Sequence, residues 1–281
     1  MSMLLPFFFE NLPVRGRLIR LSTLNAHVPS LRGAPPATAQ ALSELLALAA
    51  LLLHEGENEN NISLQIQHQQ SGALLFARIS TKGEMKAYAN EAAGSETTPW
   101  ADGTALFAVT LEPEKAGDPI QSILPLDNPS PAACLRRYFT ESVQIPTQLI
   151  AARGEDTAAI LMLQALPGLD ESGDDWHRLN LMLQTATAEE MLPDSEINLT
   201  ATDLIKRLFA EDDLRVEPEQ ALTFSAHNPR TAMLTALASL PAEDIRHLLE
   251  SGPIEMEDKT TGGRETFTEA DLQHLLQEGH S

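Results

Sequence analysis

One segment, residues 37–54, constrains this chain more than any other. Leu42, Leu45, Leu46, Leu48, Leu51, Leu52 and Leu53 put apolar side chains almost all the way round a helix. A helix without a polar face must lie inside a domain. Pro35-Pro36 followed by Thr38 reads as its start. Its longest unbroken apolar run, Leu45–Leu53, has nine residues, whereas a membrane-spanning helix needs roughly 20. The chain must therefore fold around this segment.

The flanking sequence supplies strands. Val14–Ser22 carries an alternating pattern, and residues 62–69 alternate strictly, with Ile62, Leu64 and Ile66 on one side and Ser63, Gln65 and Gln67 on the other. That is the pattern of a half-buried antiparallel strand. Ala73–Thr81, Glu84–Ala89 and Thr104–Glu112 follow, separated by turn residues. The first half reads as α+β, a two-layer α/β domain with the apolar helix covering one face of a sheet. From Pro131 a helical face (Leu135, Tyr138, Phe139) precedes strands at 147–152 and 157–166. Residues 167–176, polar and Gly/Asp-rich, read as a linker or a long loop. Helices are predicted at 176–187, 187–192 and 202–209. A last module from about Leu222 holds helices at 231–240, 242–251 and 269–279, with a short strand at Ile254–Met256.

Composition excludes several functions. The one cysteine, Cys134, cannot form an intramolecular disulfide, a CxxC pair or a thiolate zinc site. In a helical, partly apolar stretch it reads as a small buried hydrophobe. A net charge of −21 argues against nucleic-acid binding and against attachment to anionic lipid. Residues 188–281 carry 20 acidic and 7 basic side chains, so the acidity concentrates there. P-loop, GxGxxG, HExxH and GxSxG motifs are absent, so no catalytic or cofactor-binding residue is assigned and the chain is read as a non-enzyme. The apolar start has no basic n-region and meets Pro6 and Glu10, which makes a poor signal peptide. A cytoplasmic protein is expected.

Three segments point together to one family. FENLPVRGRLIRLS near the start, AACLRRYFTESVQIPT at 132–147 and LIKRLFAEDDLRV at 204–216 resemble the heat-shock protein 33 family of redox-regulated holdase chaperones. The most specific piece is Tyr138, Phe139, Ser142, Gln144, Ile145, Pro146 and Thr147. Val143 departs from the Glu usual in the family. The resemblance implies three parts: a core domain at 1–175, a helical linker at 176–221 and a C-terminal domain at 222–281. It also implies binding of unfolding client proteins without ATP, and homodimerisation on activation.

In the family, four cysteines in that last domain bind zinc, and their oxidation releases the metal and activates the chaperone. The matching positions in this chain are Ala226, Asn228, Asp258 and Thr261. Ala226 has no donor atom, and Asn228 and Thr261 are weak neutral ligands. Asp258 with nearby His227 leaves two good ligands, too few for a tetrahedral site. Around these positions the frame survives, with Phe224, Arg230, Gly262 and Phe267. Without the metal, a module of this size is marginal by buried area alone. Leu234, Leu237, Leu240, Ile245, Leu248, Leu249, Leu272, Leu275 and Leu276 are the apolar residues available to compensate.

The expected function is a zinc-free holdase, constitutive or heat-triggered, with client contacts around Leu179, Leu181, Met182 and Leu183. The competing expectation is a degenerate paralogue serving as a specific protein-binding adaptor.

Overall fold

A computed structural model describes residues 1–53, 60–90, 103–114, 117–126, 130–225, 229–238, 240–257 and 264–278. The chain divides into two compact units, Met1–Ser225 and Ala226–Ser281.

Among the described residues, two six-stranded sheets build the first unit. Sheet A contains β1 (Met3–Phe9), β2 (Val14–Leu21), β8 (Thr147–Arg153), β9 (Ala158–Ala165), β10 (Leu214–Val216) and β11 (Gln220–Ala221). Its order is β10-β1-β2-β9-β8, with β11 also paired to β1. Sheet B contains β3 (Asn60–His68), β4 (Leu74–Ile79), β5 (Glu84–Ala89), β6 (Ala105–Pro113), β7 (Ile120–Leu126) and β12 (Thr223–Phe224). Its order is β12-β5-β4-β3-β6-β7, antiparallel except where β12 joins β5.

After a short helical turn, α1 (Leu24–His27), the apolar helix α2 (Pro36–Leu51) runs between the two sheets. It packs on β3, β4 and β5 from one side and on β2, β8 and β9 from the other. Its all-round apolarity follows from having two sheets to meet. The α+β class holds, but the helix is enclosed by two sheets, so the layering is richer than two. A short helix, α3 (Pro131–Arg137), lies beside it and continues into a π-helical turn, Tyr138–Val143. Cys134, on α3, is buried in this central core.

Two buried charges orient α2. Arg17 donates from Nη1 to the carbonyls of Leu51 at 2.8 Å and Leu53 at 2.7 Å, satisfying groups that a helix C-terminus leaves open. Glu44 accepts the Ala132 amide at 2.9 Å and the Ser130 hydroxyl at 3.2 Å, and Arg153 approaches at 3.7 Å. The carboxylate thereby anchors the first turn of α3 to α2.

The other face of sheet A is covered by α4 (Asp174–Gln184), α5 (Ala188–Met191) and α6 (Ala201–Leu208). Strand β9 records this double coverage. Ala158, Ile160 and Met162 face the central core, while Ala159, Leu161 and Leu163 face the helices. The segment from 176 to 221 thus lies within the first unit, as do Leu222 and β12, which the sequence grouped with the last module.

In the second unit, α7 (Pro229–Ala238), α8 (Ala242–Glu250) and α9 (Glu269–Glu278) accompany a hairpin of β13 (Ile254–Glu257) and β14 (Arg264–Phe267). Met233, Leu237, Ile245, Phe267 and Leu272 form its core, with Leu234 and Leu249 partly buried against them. Leu240 and Leu248 are exposed. The side chains of Leu275 and Leu276 lie outside the description. Arg230 holds the unit's ends together: it pairs with Glu265 at 3.0 Å and Asp271 at 2.6 Å, and lies 4.7 Å from the Phe267 ring centre.

Candidate functional site

The strongest candidate surface is the face of sheet A under α4, α5 and α6. Strand alternation aims Met3, Leu5, Phe7 and Phe9 of β1 towards it, with Val14 and Leu18 of β2 and Leu161 and Leu163 of β9. Phe7, Phe9 and Phe209 form an aromatic cluster with ring centres 5.1–6.0 Å apart. Gly16 makes room for it. A Cβ there would lie 1.9 Å from the Phe7 ring, so a strand glycine opposite Phe7 is a steric requirement.

The cover is amphipathic. Trp176, Leu179 and Leu183 of α4, Met191 of α5, and Leu204, Ile205 and Leu208 of α6 point into the sheet. Polar contacts at the margins hold the cover down. Arg20, only 7% exposed, donates to three main-chain carbonyls: Met191 at 2.8 Å, Leu199 at 2.8 Å and Glu190 at 2.7 Å. Burial pushes its guanidinium pKa down, and the charges of Glu219 and Asp194 oppose that shift. Arg178 clasps Asp212 through two hydrogen bonds, at 2.9 and 2.6 Å. Arg207 pairs with Glu190 at 2.7 Å. Thr187 and Glu190 form a reciprocal capping box on α5, and Thr200 caps α6.

The four residues proposed from sequence do not share one face. Leu179 and Leu183, one helical turn apart, are buried under α4. Leu181 is 52% exposed on the opposite side, and Met182 is half-buried beside Arg178. Sequence reasoning missed Phe7, Phe9 and Arg20. Phe7 and Phe9 had a visible signal in the apolar opening run, which reads poorly as a strand because both of its faces are buried. Arg20 had no local signal, since its partners lie about 170 residues away.

The positions matching the four metal ligands, Ala226, Asn228, Asp258 and Thr261, lie outside the described residues, as does His227. Their donor set does not fit a thiolate zinc site. Among the described residues, no group of three or more His, Cys, Asp or Glu side chains is placed to hold a metal. No described helix is long and apolar enough to cross a membrane.

A sequence model of the Hsp33 protein family matches residues 2–268. The chain belongs to the Hsp33 family. The 33 kDa chaperonin of Shewanella frigidimarina is 28% identical over 279 residues, covering 98% of this chain and 96% of the relative. That of Neisseria meningitidis serogroup A is 30% identical over 284 residues, covering 97% and 90%. The crystal structure of the 33 kDa chaperonin from Thermotoga maritima superposes with a TM-score of 0.76 at 17% identity, covering 99% of both chains. That last likeness establishes the fold. In this Hsp33-family chain the apolar surface and its helical cover are both in place.

Proposed function

We propose that this protein is an ATP-independent holdase chaperone whose client surface is the apolar face of sheet A, uncovered when the 174–209 segment detaches. The observation that carries the reading is the burial of Phe7, Phe9, Leu161 and Leu163 beneath a segment fastened by polar contacts at its margins. The names of the relatives, all 33 kDa chaperonins, support a chaperone role. Apolar area of this size is stable only when covered, and an unfolding client offers the alternative cover. Leu179 and Leu183 then belong to the same surface, exposed with the helix they sit on.

The trigger is heat rather than oxidation. Cys134 is the one thiol in the chain, and the ligand set at 226, 228, 258 and 261 holds no cysteine. Warming releases this layer of short helices before it melts the sheets beneath, because its detachment leaves the strand pairing of sheet A intact.

Light scattering of a heat-unfolded client tests this. Suppression of aggregation is expected without ATP and to the same extent with or without peroxide. A peroxide-dependent gain would refute the heat-triggered reading. Failure to protect any client, together with stoichiometric capture of a single partner, would establish an adaptor instead.

A further inference from the structure

A second apolar feature lies away from the covered face, at the C-terminal end of α2. There, β3 and β6 of sheet B face the π-helical turn and the paired ends of β2 and β9 in sheet A, where Arg15 lies opposite Gln164. A cavity of about 270 Å³ opens between them. Ile62, Val109, Phe139 and Val143 supply much of its apolar wall, and Asn60, Arg15 and Gln164 its polar part.

Arg15 is the unusual member. Its Nε and Nη2 both donate to Oε1 of the buried Gln164, the first at 3.0 Å. Gln164 in turn donates to the Thr147 hydroxyl at 3.1 Å, which donates to the Ile145 carbonyl at 3.0 Å. This relay fixes the orientation of the guanidinium. Among the described residues no carboxylate lines the cavity, and the side-chain hydrogen bonds of Arg15 go to Gln164. Burial pushes its pKa down. A partly desolvated cation beside an apolar cavity attracts an anion strongly, because the interaction is poorly screened by solvent.

The geometry points to this cavity as a binding site for a small apolar monocarboxylate, its carboxylate on Arg15 and its alkyl chain against Ile62, Val109, Phe139 and Val143. The volume is below the usual range for drug-sized ligands, so the occupant is small, on the order of ten non-hydrogen atoms. With Nε and one Nη2 hydrogen committed to Gln164, the remaining Nη1 and Nη2 hydrogens are the paired donors for a carboxylate, which selects this head group over a neutral hydroxyl. The site is separate from the sheet A face and does not depend on the proposed chaperone role.

Octanoate, octanol and octylammonium titrated calorimetrically into the full chain provide the test. Octanoate is expected to bind saturably and at least ten-fold tighter than octanol, and octylammonium more weakly than either. Arg15→Gln should erase the preference for octanoate over octanol. Val143→Glu, at a partly exposed wall position, should place a competing carboxylate in the cavity and weaken octanoate at least ten-fold. It carries the test if the Arg15 variant does not fold. The inference is overturned if octanoate shows no saturable binding, if octanol binds as tightly, or if neither substitution alters the preference.

Discussion

Replacing Arg20 by Met tests what fastens the helical cover to sheet A. Met keeps the length and apolar stem of the side chain but removes its three donations to the carbonyls of Glu190, Met191 and Leu199. A hydrogen bond involving a charged group contributes about 1.5–3 kcal/mol, so the gross loss is roughly 4–9 kcal/mol. Two effects offset it. The substitution relieves the burial of a cation, already visible in the lowered pKa of Arg20. Water also reaches part of the released backbone, because Glu190 and Leu199 are only partly buried. A net cost of about 2–4 kcal/mol remains. At tenfold per 1.4 kcal/mol, the detached population of 188–209 rises on the order of 30- to 1,000-fold. Hydrogen exchange read by mass spectrometry should show faster exchange in peptides spanning 188–209, while β3, β4 and β6 of sheet B keep their protection. Light scattering should show client protection beginning at a lower temperature. Unchanged exchange in 188–209, or an equal loss of protection throughout both sheets, would refute the reasoning.

Three further predictions rest on other parts of the molecule. Gly16→Ala drives a Cβ into the Phe7 ring, should cost about 3 kcal/mol or more and should lower the melting temperature by roughly 6–12 °C. Adding Phe7→Leu to that chain should restore part of the loss. Chelator treatment should leave the melting temperature unchanged, and elemental analysis of untagged protein should find no stoichiometric zinc. One equivalent of zinc would overturn the reading of positions 226, 228, 258 and 261. Acid should weaken the second unit through Asp271, whose pKa is held below the ordinary 3.8 by the Thr268 amide and hydroxyl and by Arg230. Because the folded value is the lower one, this contribution is complete above about pH 5 and is lost as pH falls below the unfolded value. Asp271→Asn should therefore lower the unit's thermal stability near neutral pH and converge with the parent in strong acid, as followed by circular dichroism.

The sequence by itself determined the elements whose burial follows a simple period. The all-round apolarity of α2 required an interior position, and the alternation of Ile62, Leu64 and Ile66 on β3 reappears as a strict burial pattern. The family was also legible, because Tyr138, Phe139 and Gln144 to Thr147 form a local word whose spacing does not depend on distant contacts. Strand β1 was obscure because its two faces meet different apolar layers, which removes the alternation that marks a strand. Strand β7 was obscure for the opposite reason: it is an edge strand with Ile120 and Ile123 exposed, so its apolar residues do not report an interior face.

Only the tertiary structure decided that a second sheet encloses α2, that Phe7 needs Gly16 opposite it, and that Arg20 grips a segment about 170 residues away. It also separated Leu179 and Leu183, which face the sheet, from Leu181, which does not. The physical reason is range. Periodicity records what each residue must do with respect to water, and that is written locally along the chain. Pairings across a sheet face depend on which distant segment arrives there, and no nearby residue carries that information.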